Sequence, residues 1–210
     1  RGEQLGVDSG RAISQAYRLP IHSDWYKNTL SHNAVVVDGK PQETKVGARG
    51  RLLLYVDAPE YAAAAARGDA AYRGVRHARL LVLLDEYLLV LDDLRARRPR
   101  TFDWFYHNNV SKVRAPRGSQ RVDVARRGRG YEYVVNARRI RTAESTRVHF
   151  AGERLDARLT LAGSGSTEIV TGHGPFGPDH DVPVRHRALR RGEDLPIVVR
   201  RYLGRRNEVR

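Results

Sequence analysis

Apolar and polar positions alternate with a period of two over short spans along most of this chain, and turn residues separate one span from the next at fairly regular intervals. Residues 34–37 form a β-branched run closed by Asp38-Gly39, a pair that favours a tight turn. Residues 51–56 make a second apolar segment, and 79–84 followed by 87–91 read as a hairpin turning at Asp85-Glu86. The span 101–107 sets Phe102, Trp104 and Tyr106 on one face and Asp103, Phe105 and His107 on the other. Short strands are expected again at 110–113, 120–125, 131–135, 146–150, 155–161, 168–171 and 196–202, while 170–183, with its glycines and prolines, reads as a long loop. Five alanines at 62–66 favour helix by propensity, but so short a helix is marginal alone, and a strand or an extended edge is the preferred alternative. This pattern predicts an all-β fold, a large antiparallel β-sandwich, and not alternating β and α units.

Composition narrows the class. A chain of 210 residues, 40% hydrophobic and 30% charged, is long enough to bury a core and too apolar for default disorder. With neither internal repeats nor a clear linker, residues 1–210 read as one domain. Methionine is absent even from position 1, so the chain reads as a piece of a longer protein, cut at both ends. Cysteine is absent too, which excludes disulfides, thiolate metal sites and cysteine nucleophiles. No span approaches eighteen uncharged apolar residues, so membrane insertion is not expected.

Charge changes the picture more. The formal net charge is +14, nearly all of it from arginine. Such a field attracts polyanions of any kind, and guanidinium groups recognise carboxylate, sulfate or phosphate in a bidentate fashion. Nucleic acid, acidic polysaccharide and acidic surfaces therefore all stay open, beside the plain reading of a solvated arginine-rich face. Arg127-Gly128-Arg129-Gly130 followed by Tyr131 could bind nucleic acid by charge and stacking, though Gly-Arg pairs between strands are also ordinary turns.

Groups capable of chemistry are densest at 5–10 and 25–39. Asp8 and His32 each lie beside an expected strand end; both residue types ligate zinc, yet a stable site takes three or four ligands. Alternatively, His32 is a buried imidazole and Asp8 a turn cap. Tyr26 and Lys27 pair a phenol with a cation, an acid-base arrangement if they share a cleft and simple core or rim otherwise. Asn28 and Asn33 can donate to an oxyanion or cap turns. His107, Asn108 and Asn109 close the aromatic strand, and His173 and His180 fall in the expected loop. No dinucleotide fingerprint and no phosphate-binding loop of the Walker type is present.

The run Trp25-Tyr26-Lys27-Asn28-Thr29-Leu30-Ser31-His32-Asn33-Ala34-Val35-Val36-Val37-Asp38-Gly39 closely resembles the signature of the heparinase II/III-like C-terminal domain of polysaccharide lyases, with oligoalginate-type members nearest. Val7-Asp8-Ser9-Gly10, Gly68 to Tyr72, 80–92, 101–107 and 167–175 support it. The resemblance implies a β-sandwich that follows an N-terminal α/α-toroid, with the substrate cleft between the two. The implied reaction is β-elimination on a uronic-acid-containing polysaccharide of alginate or heparin/heparan sulfate type, in a parent protein that is periplasmic or secreted. It also implies a structural zinc held by Asp8 and His32, its remaining ligand supplied from upstream of Arg1. Tyr17 and Tyr26 become the catalytic candidates, and Arg18, His22, Lys27 and Asn28 the substrate contacts. The fragment alone is expected to be inactive or nearly so. Two alternatives stay open, a non-catalytic module that binds acidic carbohydrate and a β domain that binds nucleic acid.

Overall fold

A computed structural model describes residues 6–9, 18–44, 48–109, 112–152, 155–163, 165–176 and 194–204. The described chain is antiparallel β throughout its regular parts, in two compact units. One comprises residues 1–41 and 101–202, the other 42–100 and 203–210.

In the first unit, β1 (Val35–Val37), β6 (Arg100–His107), β13 (Asp194–Gly204), β12 (Thr167–Pro175), β9 (Val135–Thr142) and β8 (Gln120–Arg121) form a six-stranded sheet in that spatial order. A three-stranded sheet pairs β11 (Ala157–Leu161), β10 (Thr146–Ala151) and β7 (Lys112–Arg114). Val148, Phe150 and Leu161 of the small sheet pack on Ile169 and Val198 of the large one, with Trp104 and Tyr106 against them, which makes the sandwich. The large sheet's opposite face is equally covered. Phe105, Val170, Ile197 and Val199 meet Trp25, Tyr26, Leu30 and Tyr131 from the non-strand segments. Alternation along β6 is thus the expected one, with Phe105 in one core and Trp104 and Tyr106 in the other.

Three expectations are corrected. Residues 131–133 form a 3₁₀ turn and not a strand, and the strand begins at Val135. It escapes notice in the sequence because β9 is buried on both faces by single residues, Ala137 in one core and Ile140 in the other, three apart and out of a period of two. The loop expected from 170 is strand as far as Pro175. Gly172 and Gly174 are there for close approach, since a Cβ at Gly174 would strike the Trp25 ring and Ile197. The alanine run is the preferred strand, β3, and only the edge position is corrected, since β2 and β4 flank it.

The second unit is a meander of β2 (Gly50–Asp57), β3 (Ala62–Gly68), β4 (Val75–Leu83) and β5 (Leu88–Ala96). Its β4–β5 hairpin turns at 84–87, where the sequence places it. Across it, Asp92 takes hydrogen bonds from Arg79 at 2.7 and 3.0 Å and lies 2.5 Å from His77 Nε2. Burial pushes the Asp92 carboxyl up, but these partners hold it below its usual range. Leu52, Leu54, Leu83, Leu88 and Leu91 stay exposed.

A buried ionic network ties the large sheet together. Arg201 grips Asp103 through Nε and one terminal nitrogen at 2.6 and 2.5 Å, and the Tyr131 hydroxyl donates to the same carboxylate. Asp103 is fully buried, so removal of its charge strands Arg201 in a low-dielectric layer. Replacement Asp103→Asn is expected to lower stability by about 3–5 kcal/mol in urea unfolding, whereas Arg95→Gln, at an exposed pair with Asp93, leaves the midpoint unchanged.

Candidate functional site

The segment at 18–33 is laid on the large sheet by one side chain. Trp25 is fully buried, stands over Gly174, and donates its indole N–H to the Pro175 carbonyl at 3.0 Å. His22–Tyr26 is a single π-helical turn and Thr29–Ser31 a 3₁₀ turn. Asn28 links them: its Oδ1 accepts from the Leu30 N–H at 3.4 Å, and its Nδ2 donates to the Arg129 carbonyl at 2.8 Å. Gly130, at φ 97°, lets the 127–131 turn come close, since a Cβ there would strike the Asp24 carbonyl and Leu30. Arg129 then pairs with Asp24 at 2.5 Å. The Arg-Gly-Arg-Gly run is therefore a clamp, and Tyr131 is buried within it.

Beyond this clamp the chain brings Asp8 and His32 together. Asn33 organises the approach: its Nδ2 donates to the Val7 carbonyl at 3.0 Å, and its Oδ1 accepts from the His107 N–H at 2.7 Å. Ser9 adds its N–H and hydroxyl to the Ser31 carbonyl at 3.4 and 3.0 Å. His32 Nδ1 consequently lies 3.2 Å from Asp8 Oδ1, with both side chains partly open to solvent. A carboxylate and an imidazole so placed suit a zinc ion chemically. Among the described residues no third His, Asp or Glu joins them in a set able to hold a metal.

His107, which the sequence puts at the close of the aromatic strand, backs this pair, on the face of β6 that carries Phe105. It is fully buried, with its ring edge-on to Trp25 at 6.2 Å and stacked on Phe105 at 6.2 Å. Its Nε2 has no hydrogen-bond partner among the described residues. Burial, with the His32 charge adding to it, pushes the imidazole down to about 3. His107 is thus a neutral, buried wall behind His32.

The other expected site residues fall in different places. Lys27 and Arg18 are exposed. His22, Tyr26 and Asn28 are buried at 5%, 4% and 2% exposure, Tyr26 within the core and Asn28 committed to backbone partners. Tyr17 and His180 lie outside the described residues. His173 is part of β12, where burial lowers its pKa. No helix among the described residues is long and apolar enough to cross a membrane.

An unfolded histidine takes up its proton near 6.5, whereas folded His107 resists until about 3. Between those values the unfolded chain binds more protons, so stability falls as pH drops from about 6.5 towards 3, by up to about 1.4 kcal/mol per pH unit. Its imidazole proton resonances should stay flat from pH 8 to 4 in an NMR titration, and His107→Phe should flatten the acid limb of the stability curve.

Residues 1–187 match the family model described as heparinase II/III-like, C-terminal. No curated protein matches the sequence significantly. Among solved structures, heparan sulfate lyase HepC from Pedobacter heparinus aligns with a TM-score of 0.59 at 11% identity, over 98% of this chain and 27% of that one. A mutant of the same lyase aligns at 0.54 and 12% identity, over 97% of this chain and 27% of that one. These likenesses concern the fold, and this chain spans about a quarter of the length of those proteins.

Proposed function

The chain belongs to the heparinase II/III-like family, to its C-terminal domain, and on that premise we propose that it is the β-sandwich portion of a polysaccharide lyase. Its substrate class is a uronic-acid-containing polysaccharide, of alginate or heparin/heparan sulfate type, cleaved by β-elimination in the periplasm or outside the cell. The observation that carries the reading is the meeting of Asp8 and His32 at 3.2 Å. Support also comes from the exposed leucines of the four-stranded sheet, since a surface of that kind suits a piece that packs on further protein, here an α/α-toroid.

In this reaction the uronate carboxylate must first be neutralised, so that the C5 proton becomes acidic. A base removes that proton, the C4–O4 bond breaks, and an acid protonates the departing oxygen, leaving a C4–C5 double bond. Arg18 and Lys27 are the exposed cations beside the segment, and they take the carboxylate. Tyr17 retains the proton-transfer role. Tyr26 and His22, buried under the segment, shape the floor, as does Asn28 through its hold on the 129 carbonyl.

Asp8 and His32 would hold a zinc ion, with further ligands from outside the described residues. Bound there, the metal would brace the 6–9 segment against the 3₁₀ turn and take no part in attack on substrate. The two residues would supply a carboxylate oxygen and an imidazole nitrogen, and Asn33 would keep the strands in place.

The test is the full-length gene product, assayed on alginate, heparan sulfate and hyaluronan by ultraviolet absorbance of the unsaturated chain end, with metal content measured on the same preparation. Activity is expected on one of the three, and Lys27→Ala should reduce kcat by roughly 10²-fold, the scale of a lost charge stabiliser. His32→Ala should remove the metal and lower the melting temperature. Binding of these polymers without any absorbance rise would replace this reading with that of a non-catalytic carbohydrate-binding module.

A further inference from the structure

The positive charge of the chain is concentrated. Residues 112–147 hold eleven Lys and Arg against three acidic residues, a net charge of +8 within 36 residues, more than half of the whole +14. The fold gathers much of it at β8 and β9, the edge of the large sheet farthest from β1. There the register sets Arg121 directly opposite Arg138. Like charges in that relation sit roughly 5 Å apart at Cβ and destabilise a sheet.

Nearby acids do little to relieve this. Asp123 turns its carboxylate to the Ala125 N–H at 2.9 Å, and Arg138 itself donates to the Ser119 carbonyl at 2.5 Å. Around the corner, Glu168 is shared by three arginines. Arg127 takes the close position, leaving Arg139 and Arg141 at 3.6 and 3.5 Å, with Arg141 71% exposed. Arg121, Asp123, Asn136 and Arg138 line an open depression at this edge. Asn136 keeps an exposed amide there from a left-handed backbone, φ 54°.

We propose that the β8–β9 edge is a second binding surface for acidic polysaccharide, distinct from the Asp8–His32 end, in which Arg121 and Arg138, with the Asn136 amide between them, engage successive sulfate or carboxylate groups of one chain. It rests on the substrate class proposed above. An exposed guanidinium gains little from a single anion in water, but several along a polymer add together and release counterions jointly. A repeating anion relieves the Arg121–Arg138 repulsion, and the open shape of the depression admits a chain passing over it. Nucleic acid is disfavoured, since no aromatic residue lines the depression to serve as a stacking platform among the described residues. The most exposed aromatic residues among those described, Tyr55, Tyr61 and Tyr87, all belong to the other unit, and Tyr131 is buried.

The experiment measures retention of the full chain on immobilised heparin and immobilised alginate, and its affinity for single-stranded DNA, as a function of salt. Arg121→Gln/Arg138→Gln is compared with Arg97→Gln/Arg98→Gln, which removes the same charge from the other unit. The edge variant should lose about 10-fold in polysaccharide affinity at 0.1 M salt, and the slope of log K against log salt should fall by about 1.5–2. The control pair should lose less than about 3-fold. Circular dichroism confirms that each variant is folded, and Arg121→Lys, which keeps the charge, should restore most of the binding. Equal losses in the edge and control variants overturn the proposal, as does a greater loss for DNA than for either polysaccharide. Absence of lyase activity with the edge effect intact would sink the proposed reaction and leave this surface standing.

Discussion

Burial of Trp25 over a strand stripped of side chains is the constraint on which the rest of the structure depends. A large ring can lie flat on a central strand only where that strand offers no Cβ, and β12 provides this at Gly174. The indole N–H then finds the Pro175 carbonyl, so the polar edge of the ring is satisfied inside the core. Because Trp25 is fixed, the turns at 22–26 and 29–31 have one orientation. His32 and Asn33 leave them at a set point above the end of β6. The Asp8–His32 meeting is thus a consequence of core packing several residues away.

Electrostatics divides this unit in two. Toward the middle of the sheet, opposite charges alternate across neighbouring strands, with Asp103 on β6, Arg201 on β13, Glu168 on β12 and Arg141 on β9. Burial makes each inner member depend on its neighbour, which gives the layer a unique register at a high cost for any single loss. Toward the β8 end of the sheet the acids run out, and on its other face Arg121 and Arg138 stand opposite one another. The end near Asp8 and His32 is different again: a half-open carboxylate and imidazole stand before a neutral, buried His107. One sheet therefore carries a site of fixed geometry at one end and a diffuse cationic edge at the other. The first suits positioned chemistry or a metal; the second suits a polymer held by many weak contacts.

The chain spans about a quarter of the length of the solved lyase it aligns with. Its side chains near 18–33 divide into a buried group that holds the platform (His22, Trp25, Tyr26, Asn28) and an exposed group (Arg18, Lys27). Tyr26 shows why residue type alone misleads. A tyrosine next to a lysine suggests proton transfer, but the π-helical turn directs Lys27 outward and Tyr26 into the core.

The sequence by itself determined the fold class, most strand positions and the neighbourhood of the site, because those follow from short-range signals. Two-residue periodicity marks β6, the Asp38-Gly39 pair marks a turn with both residues at positive φ, and the density of polar groups between 25 and 33 marks the platform. Other features were illegible for a common reason, that their meaning lies in a distant partner. Gly172 and Gly174 read as loop residues until Val134 and Trp25 come to occupy the space they leave, and β9 reads as arginine-rich coil until two cores close on its two faces. Likewise, Arg121 and Arg138 are unremarkable seventeen residues apart, and only strand register makes them an adjacent pair of like charges. Tertiary structure alone decided which groups are buried, which are neutral and which face one another, since burial and long-range pairing are properties of the packed layers and not of any local stretch of chain.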